Sequence, residues 1–274
     1  CKCMKRALFI VFLIGCVMFV VGLAGTVYYT FFHDQRDHEI TQKTYKTDGI
    51  KKLALEIKGR DVTFVKGDTL KIKGDISNED HFKVKKNGTQ MNVSISSERR
   101  QPISIHLNPL RPLDRKQLII TLPSSQVDQV ALNGTDTTMT VDAFELAHLT
   151  LNLTRADLYM DDSHIQQLAT AMKDSALYTE HTDFKKMTAK VDASDVTLED
   201  VSLDIPMSWE INNGIVDVNY KGQLSNTAFH IDGDEGTVDL DGVEGLNNNQ
   251  VGRGEHQVDI KVTNYGDATF SAYE

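Results

Sequence analysis

Apolar and polar residues alternate along most of the chain after residue 50. Segments such as LALEI, VTFV, LKIKG, FKV, MNVSIS and LIITL place an apolar side chain at every second position. Period-2 alternation predicts β-strands with one buried and one exposed face. No long segment after residue 32 has the 3.6-residue period of a helix. The pattern therefore predicts an all-β domain over residues 50–274.

The central part of this domain repeats at an interval of nineteen residues. LTLNLTRADLYMDDSH starts at 149, LATAMKDSALYTEHTD at 168 and MTAKVDASDVTLEDVS at 187. At 40% apolar content, about half of one column of four apolar residues is expected by chance among nineteen columns. Three such columns occur: Val130, Leu149, Leu168 and Met187; Met139, Leu158, Leu177 and Val196; and Leu146, Ile165, Phe184 and Leu203.

Each copy contains two short alternating segments separated by a turn. The turn column consists of small residues: Thr137, Ala156, Ser175 and Ser194. Two short strands cannot bury an apolar face alone, whereas copies stacked in parallel about 4.8 Å apart can. The repeat therefore predicts a parallel β-solenoid of about 19-residue coils. The uncharged N-terminal segment described below predicts that this solenoid is preceded by a single transmembrane α-helix. We expect Ile50–Lys66 and Val258–Glu274 to form its end coils.

Two segments interrupt this rhythm. Residues 97–117 contain three prolines and mixed charge, which predicts a loop that leaves the stack. Asn87-Gly88 lies between two alternating segments and predicts a hairpin turn.

The N-terminal region predicts a membrane anchor. No charged residue occurs from Ala7 to Phe32, and a helix of that length would be about 39 Å long, enough to cross a hydrocarbon core of about 30 Å. Three basic residues and no acidic residue precede it in 1–6, so the positive-inside rule places the N-terminus in the cytoplasm. We predict a cytoplasmic stub over 1–6, a transmembrane helix over 7–32, a tether over 33–49 and an extracellular domain after it.

Other interpretations of this region remain. A cleaved signal peptide normally has a shorter apolar core and a small-residue cleavage site. LIGC at Leu13–Cys16 resembles a bacterial lipobox, although uncharged residues continue after Cys16. An uncleaved anchor is favoured. The three cysteines all lie within residues 1–16, which excludes a disulfide framework or a cysteine zinc site in the domain.

Several function classes are disfavoured. The formal net charge of −10 disfavours nucleic-acid binding, because phosphates repel acidic surfaces. No glycine-rich phosphate loop, serine-nucleophile motif or H-E-x-x-H sequence occurs, so we expect no nucleotide and no cofactor. DGDEGTVDLDG at 232–242 fails the EF-hand pattern, since positions 5 and 12 are Gly236 and Val243.

One column of the repeat is acidic throughout: Asp142, Asp161, Glu180 and Glu199. Carboxylates about 4.8 Å apart repel by about 0.9 kcal/mol in bulk water and about 3.5 kcal/mol at an effective dielectric of 20. The column must therefore face water, spread its carboxylates or hold cations. A solvated edge is favoured, and the alternative is a weak ladder for divalent ions.

Two further columns could carry chemistry. Tyr159 and Tyr178 share an outward column with two threonines and could stack on sugar rings, although covering the sheet is the favoured role. Asp157 and Asp195 share a column two coils apart, about 9.6 Å, which is at or just beyond the upper end of the spacing of an inverting glycosidase pair.

The segment LIITLPSSQVDQVALNGTDTTMTV, followed by ASDVTLEDV and NGIVDVNYKG, resembles the bacterial "putative adhesin" family of β-strand-repeat proteins. The resemblance extends over roughly 50–274, and members often carry one N-terminal membrane helix. It implies a β-solenoid on a bacterial cell surface and no particular reaction. This chain departs from the family by having few Gly-Asp turns and a proline-containing insert.

Together these patterns predict a non-catalytic, membrane-anchored cell-envelope protein that serves as an adhesin, scaffold or binding module. Its expected partners are the bilayer and cell-wall glycan or a membrane signalling protein. Two alternatives remain: an accessory of envelope-stress signalling that acts on a membrane sensor, and a glycan-cleaving β-solenoid enzyme.

Overall fold

A computed structural model describes residues 15, 18–22, 25, 40–75, 80–97, 118–123, 126–233 and 235–272. Within these ranges the chain forms nineteen strands: β1 Ile40–Tyr45, β2 Lys52–Lys58, β3 Val62–Lys66, β4 Leu70–Asp75, β5 Asp80–Asn87, β6 Gln90–Ser97, β7 Leu118–Leu122, β8 Gln129–Asp142, β9 Glu145–Asp161, β10 His164–Lys173, β11 Ala176–Glu180, β12 Asp183–Asp192, β13 Asp195–Val201, β14 Met207–Asn212, β15 Ile215–Tyr220, β16 Thr227–Gly233, β17 Thr237–Asp241, β18 His256–Thr263 and β19 Asp267–Ala272. The six alternating segments quoted above coincide with β2 to β7.

Residues 1–39 and 40–274 are separate compact units. Most of the predicted membrane segment 7–32, including its limits Ala7 and Phe32, lies outside the described residues. Residues 15, 18–22 and 25 are helical. Across the described ranges, no helix is long and apolar enough to cross a membrane.

Residues 40–274 form one long open sheet that is consistent with a β-solenoid. Because β8 and β9 are long enough to contribute to both sides of each coil, the strands fall into two series around a common core. Series 1 runs in the order β5, β6, β2, β8, β9, β10, β12, β14, β18 and β16. Series 2 runs in the order β1, β4, β7, β3, β8, β9, β11, β13, β15, β19 and β17.

The nineteen-residue register is confirmed in the central coils. Leu168 lies beside Leu149 on one side and Met187 on the other, in parallel strands. The column that starts at Met139 is also in register throughout. Leu203, by contrast, lies outside any strand and is half-buried, because the interval lengthens to twenty residues where Met187 meets Met207.

The order of the end coils differs from the order of the chain. At one end, the coil of β2 and β3 lies between β8 on one side and β6 and β7 on the other. At the other end, the coil of β18 and β19 lies between the coil of β14 and β15 and the coil of β16 and β17. The prediction that Ile50–Lys66 and Val258–Glu274 form the ends was therefore wrong. The ends are β1 and β5 on one side, and β16 and β17 on the other.

The domain also begins earlier than the sequence indicated. Ile40–Tyr45 lies within the predicted tether 33–49, yet it forms β1 and pairs antiparallel with β4. The hairpin turn at Asn87-Gly88 is confirmed between the antiparallel strands β5 and β6. Most of the predicted loop 97–117 lies outside the described residues.

The corners of the coils depend on two repeated features. Corners of the central coils contain a residue with a positive φ, such as Asp174 at 50° and His181 at 46°, which turns the chain sharply within a short segment. A hydroxyl beside it then links neighbouring coils. Ser175 Oγ donates to the carbonyl of Lys173 at 2.7 Å and accepts the N–H of Ala156 from the preceding coil at 3.1 Å.

Candidate functional site

From residue 157 of β9 onward, the strands of series 2 carry acidic residues and no Lys or Arg. Over residues 157–161 of β9 and strands β11, β13, β15, β17 and β19, the sequence holds ten Asp and Glu and no Lys or Arg. Series 1 instead exposes lysines: Lys52, Lys173, Lys186, Lys190 and Lys261. We call the outer side of series 2 over these strands the acidic face.

The structure brings three of the four predicted ladder residues together. Asp142, Asp161 and Glu180 lie side by side in consecutive parallel strands. Glu199 does not continue this register, because β13 has an irregularity between Leu198 and Val201. Its carboxylate instead accepts two hydrogen bonds from Asn219 Nδ2, both at 3.0 Å.

His181 lies at the centre of these carboxylates. Its Nδ1 is 3.3 Å from Asp161 Oδ1 and 3.9 Å from Glu180 Oε1, while its Nε2 is 3.3 Å from Asp200 Oδ2. The hydrogen bond with Asp161, together with the charges of Glu180 and Asp200, raises the pKa of the imidazole above its ordinary value. A protonated His181 therefore offsets part of the repulsion within the ladder.

Sequence reasoning missed this histidine and Asp200. In the chain, each ladder residue is followed immediately by a corner residue with a positive φ. These corner residues are Ala143, Asp162, His181 and Asp200. That adjacency is the signal that could have identified the contact.

The same residues could hold a metal ion. One ligand atom from each of Asp161, Glu180 and His181 lies within 4.8 Å of the others. Oxygen and imidazole ligands of this kind suit several divalent cations. Since a ligating imidazole nitrogen must be unprotonated, metal binding and protonation of His181 exclude each other.

Tyrosine side chains lie next to the ladder. Thr140, Tyr159, Tyr178 and Thr197 are in register across four strands, as the column predicted. The two tyrosine rings are 6.4 Å apart at a tilt of 48°, and Tyr159 is 48% exposed. Partial burial, and then nearby carboxylates, raise the pKa of Tyr178, so its hydroxyl stays a hydrogen-bond donor at neutral pH.

The predicted carboxylate pair lies on this face too. Asp157 and Asp195 are both in register with Ala176, which separates them by two strand spacings. Two surface depressions lie elsewhere, on the outer side of series 1: one beside Gln129 and His148, the other beside Glu210 and Lys261. The paired aspartates are therefore not part of either depression.

Known proteins resemble the chain in family and fold. A family model described as Toastrack DUF4097 matches residues 50–269. A crystal structure of a "putative adhesin" from Bacteroides fragilis NCTC 9343 is 10% identical, with 84% of this chain and 96% of that chain covered and a TM-score of 0.50. A "putative cell adhesion protein" from Clostridium sporogenes ATCC 15579 is 15% identical, with coverages of 86% and 99% and a TM-score of 0.34. No curated protein matches the chain. The chain belongs to the Toastrack DUF4097 family.

Proposed function

We propose that this chain is a non-catalytic, membrane-anchored protein of the bacterial cell envelope, and that its solenoid binds glycan through the acidic face. The observation that carries this proposal is the Tyr159–Tyr178 pair, which lies on a repeating surface with ten carboxylates and no Lys or Arg. The similar crystal structure from Bacteroides fragilis NCTC 9343, which is named a "putative adhesin", agrees with a surface role.

The chemistry of the face fits a sugar ligand. A tyrosine ring offers a flat apolar surface for the C–H side of a sugar ring, and its hydroxyl can donate a hydrogen bond. The flanking carboxylates accept hydrogen bonds from sugar hydroxyls, and such charge-assisted bonds are the stronger kind. Like charges repel across an interface, so the ligand should be a neutral or amino-bearing glycan rather than an anionic polymer.

The location rests on the sequence. Residues 7–32 carry no charge, and three basic residues but no acidic residue precede them, which favours an N-terminus in the cytoplasm. In this orientation the whole domain after residue 40 faces the outside. Protease added to intact cells should then remove the domain and leave a membrane-embedded fragment, whereas a domain that stays protected would contradict this location.

Glycan binding can be tested with residues 40–274, because all strand pairings among the residues that the structure describes lie within them. Retention on insoluble cell-wall glycan should fall about thirtyfold in Tyr159→Ala/Tyr178→Ala, if each ring contributes about 1 kcal/mol. Thr140→Ala/Thr197→Ala changes the same column without removing a ring and should keep most of the retention.

Equal retention by the two double variants would refute the binding role of the tyrosines. Release of sugar ends that depends on Asp157 or Asp195 would refute the non-catalytic part of the proposal. A glycan that is retained only when it is anionic would contradict the expected ligand chemistry.

A further inference from the structure

Charge is unevenly distributed along the stack of coils. Residues 40–97, which supply one end, hold twelve Lys and Arg against seven Asp and Glu. Residues 203–274, which supply the other end, hold three against thirteen. The outermost strands repeat this contrast, since β16 and β17 contain Asp but no Lys or Arg. We call the end formed by β1, β4 and β5 the basic end.

The lysines of the basic end are exposed. They are Lys43, Lys71, Lys73, Lys83, Lys85 and Lys86. Asp80 on β5 does not offset them at the surface, because it is buried in an ion pair with Arg60 at 3.2 Å. The basic end therefore presents a concentrated positive charge on a domain that is acidic elsewhere.

Apolar and aromatic side chains accompany these lysines. Tyr45, Phe82 and Val84 are half-buried and pack against the end of the core. Lys43 Nζ lies 5.1 Å from the centre of the Phe82 ring, and Lys86 is in register with the buried Met91. The Lys43 amine thus lies over an aromatic ring, and the Lys86 amine donates to the Asp48 carbonyl at 3.0 Å. Exposed lysines beside aromatic and apolar groups are typical of surfaces that contact a membrane interface.

We propose that the basic end docks on a bilayer that is rich in anionic lipid. This inference rests on the proposed function, because the anchor at 7–32 would supply the bilayer. β1 begins eight residues after Phe32, a reach of at most about 29 Å. Anionic headgroups attract the basic end and repel the acidic one, so docking directs β16 and β17 away from the membrane.

A different explanation accounts for only some of these lysines. Charged side chains on edge strands prevent two copies of a protein from pairing edge to edge, and β1 and β5 are such edges. However, Lys71 and Lys73 lie on β4, which is paired with β1 on one side and β7 on the other. Since an interior strand needs no protection of this kind, a charged partner accounts for the whole set better.

Vesicle sedimentation of residues 40–274 tests the proposal. The vesicles contain phosphatidylcholine alone or equal parts of phosphatidylcholine and phosphatidylglycerol. Each lysine near an anionic surface changes partitioning about fivefold, so three substitutions on β5 should reduce it about a hundredfold. The test variant is Lys83→Gln/Lys85→Gln/Lys86→Gln, and the control with the same charge change, in the middle of the solenoid, is Lys173→Gln/Lys185→Gln/Lys186→Gln.

We expect the unmodified domain and the control to sediment with anionic vesicles at low salt, but not with phosphatidylcholine alone. Circular dichroism verifies the fold, and Lys71→Gln/Lys73→Gln replaces the triple variant on β5 if that variant unfolds. No binding to anionic vesicles, or equal losses in the two triple variants, would overturn the proposal. The proposal would also be overturned if the domain self-associates in the absence of vesicles and the β5 substitutions change that self-association, because the partner of the basic end would then be a second copy of the chain.

The experiment also separates this inference from the proposed function. A domain that ignores vesicles but is retained on cell-wall glycan refutes only the docking. A domain that binds anionic vesicles through β5 but shows no glycan retention supports the docking and refutes the glycan-binding proposal.

Discussion

The hydroxyls at the coil corners should contribute measurably to stability, and Ser175 offers the sharpest test. Ser175→Ala removes the acceptor of the Ala156 N–H and the donor to the Lys173 carbonyl. Ala156 is 2% exposed and Ser175 is 7% exposed, so water cannot easily replace the lost partner. A buried donor without a partner costs about 1–3 kcal/mol, and we expect a loss of about 2 kcal/mol.

The assay is thermal unfolding of residues 40–274 followed by circular dichroism. For a domain of this size, a loss of about 2 kcal/mol lowers Tm by about 4–8 °C. Ser194 makes the equivalent contacts: its Oγ accepts the N–H of Ser175 at 3.0 Å and donates to Asp192 at 2.7 Å. Ser194→Ala should therefore cause a similar loss.

Ser208→Ala is the matched control, because it makes the same chemical change on the exposed side of β14. Surface substitutions of this kind usually change stability by less than about 0.5 kcal/mol. If Ser175→Ala and Ser194→Ala unfold at the same temperature as Ser208→Ala, the corner hydroxyls do not link the coils in the way described.

Three further predictions concern the ladder, the core and the basic end. The raised pKa of His181 means that protonation of this side chain stabilises the folded domain. The stabilisation is complete below about pH 6.5, which is the ordinary pKa of histidine, and is lost as the pH rises through the higher pKa of His181 in the folded domain. The Tm advantage of the unmodified domain over His181→Gln should therefore be largest below about pH 6.5 and shrink as the pH rises above it, and a difference that does not change with pH would contradict the contact with Asp161. Leu168→Ala leaves a cavity between two stacked coils and should cost about 2–5 kcal/mol in urea unfolding; a cost below about 1 kcal/mol would contradict the stacked column. Asp80→Asn leaves Arg60 without its buried carboxylate and should cost about 3–5 kcal/mol, while a neutral effect would show that the ion pair is not formed.

The sequence could predict the central coils because their register depends on a fixed interval. Leu149, Leu168 and Met187, each nineteen residues after the last, must lie above one another to exclude water. No comparable signal identifies the end coils. The alternation in 52–66 would suit any position in the stack, so the sequence does not show that this coil lies inside β6 and β7.

The candidate site was only partly predictable for related reasons. A fixed interval assigns Glu199 to the ladder, but the irregularity between Leu198 and Val201 shifts it toward Asn219. His181 reaches Asp161 and Asp200 because a positive φ turns the corner back toward both neighbouring coils. Such a turn depends on backbone geometry, which the column of residue types does not contain.

The central claim is that the acidic face binds glycan through its tyrosine column. NMR shift perturbation of residues 40–274 during titration with soluble, neutral wall-glycan fragments tests it most directly. We predict that the amide signals of Thr140, Tyr159, Tyr178 and Thr197 move together with increasing ligand, while those of the outer side of series 1 stay in place. Shifts confined to series 1, or no shifts at all, would contradict the claim.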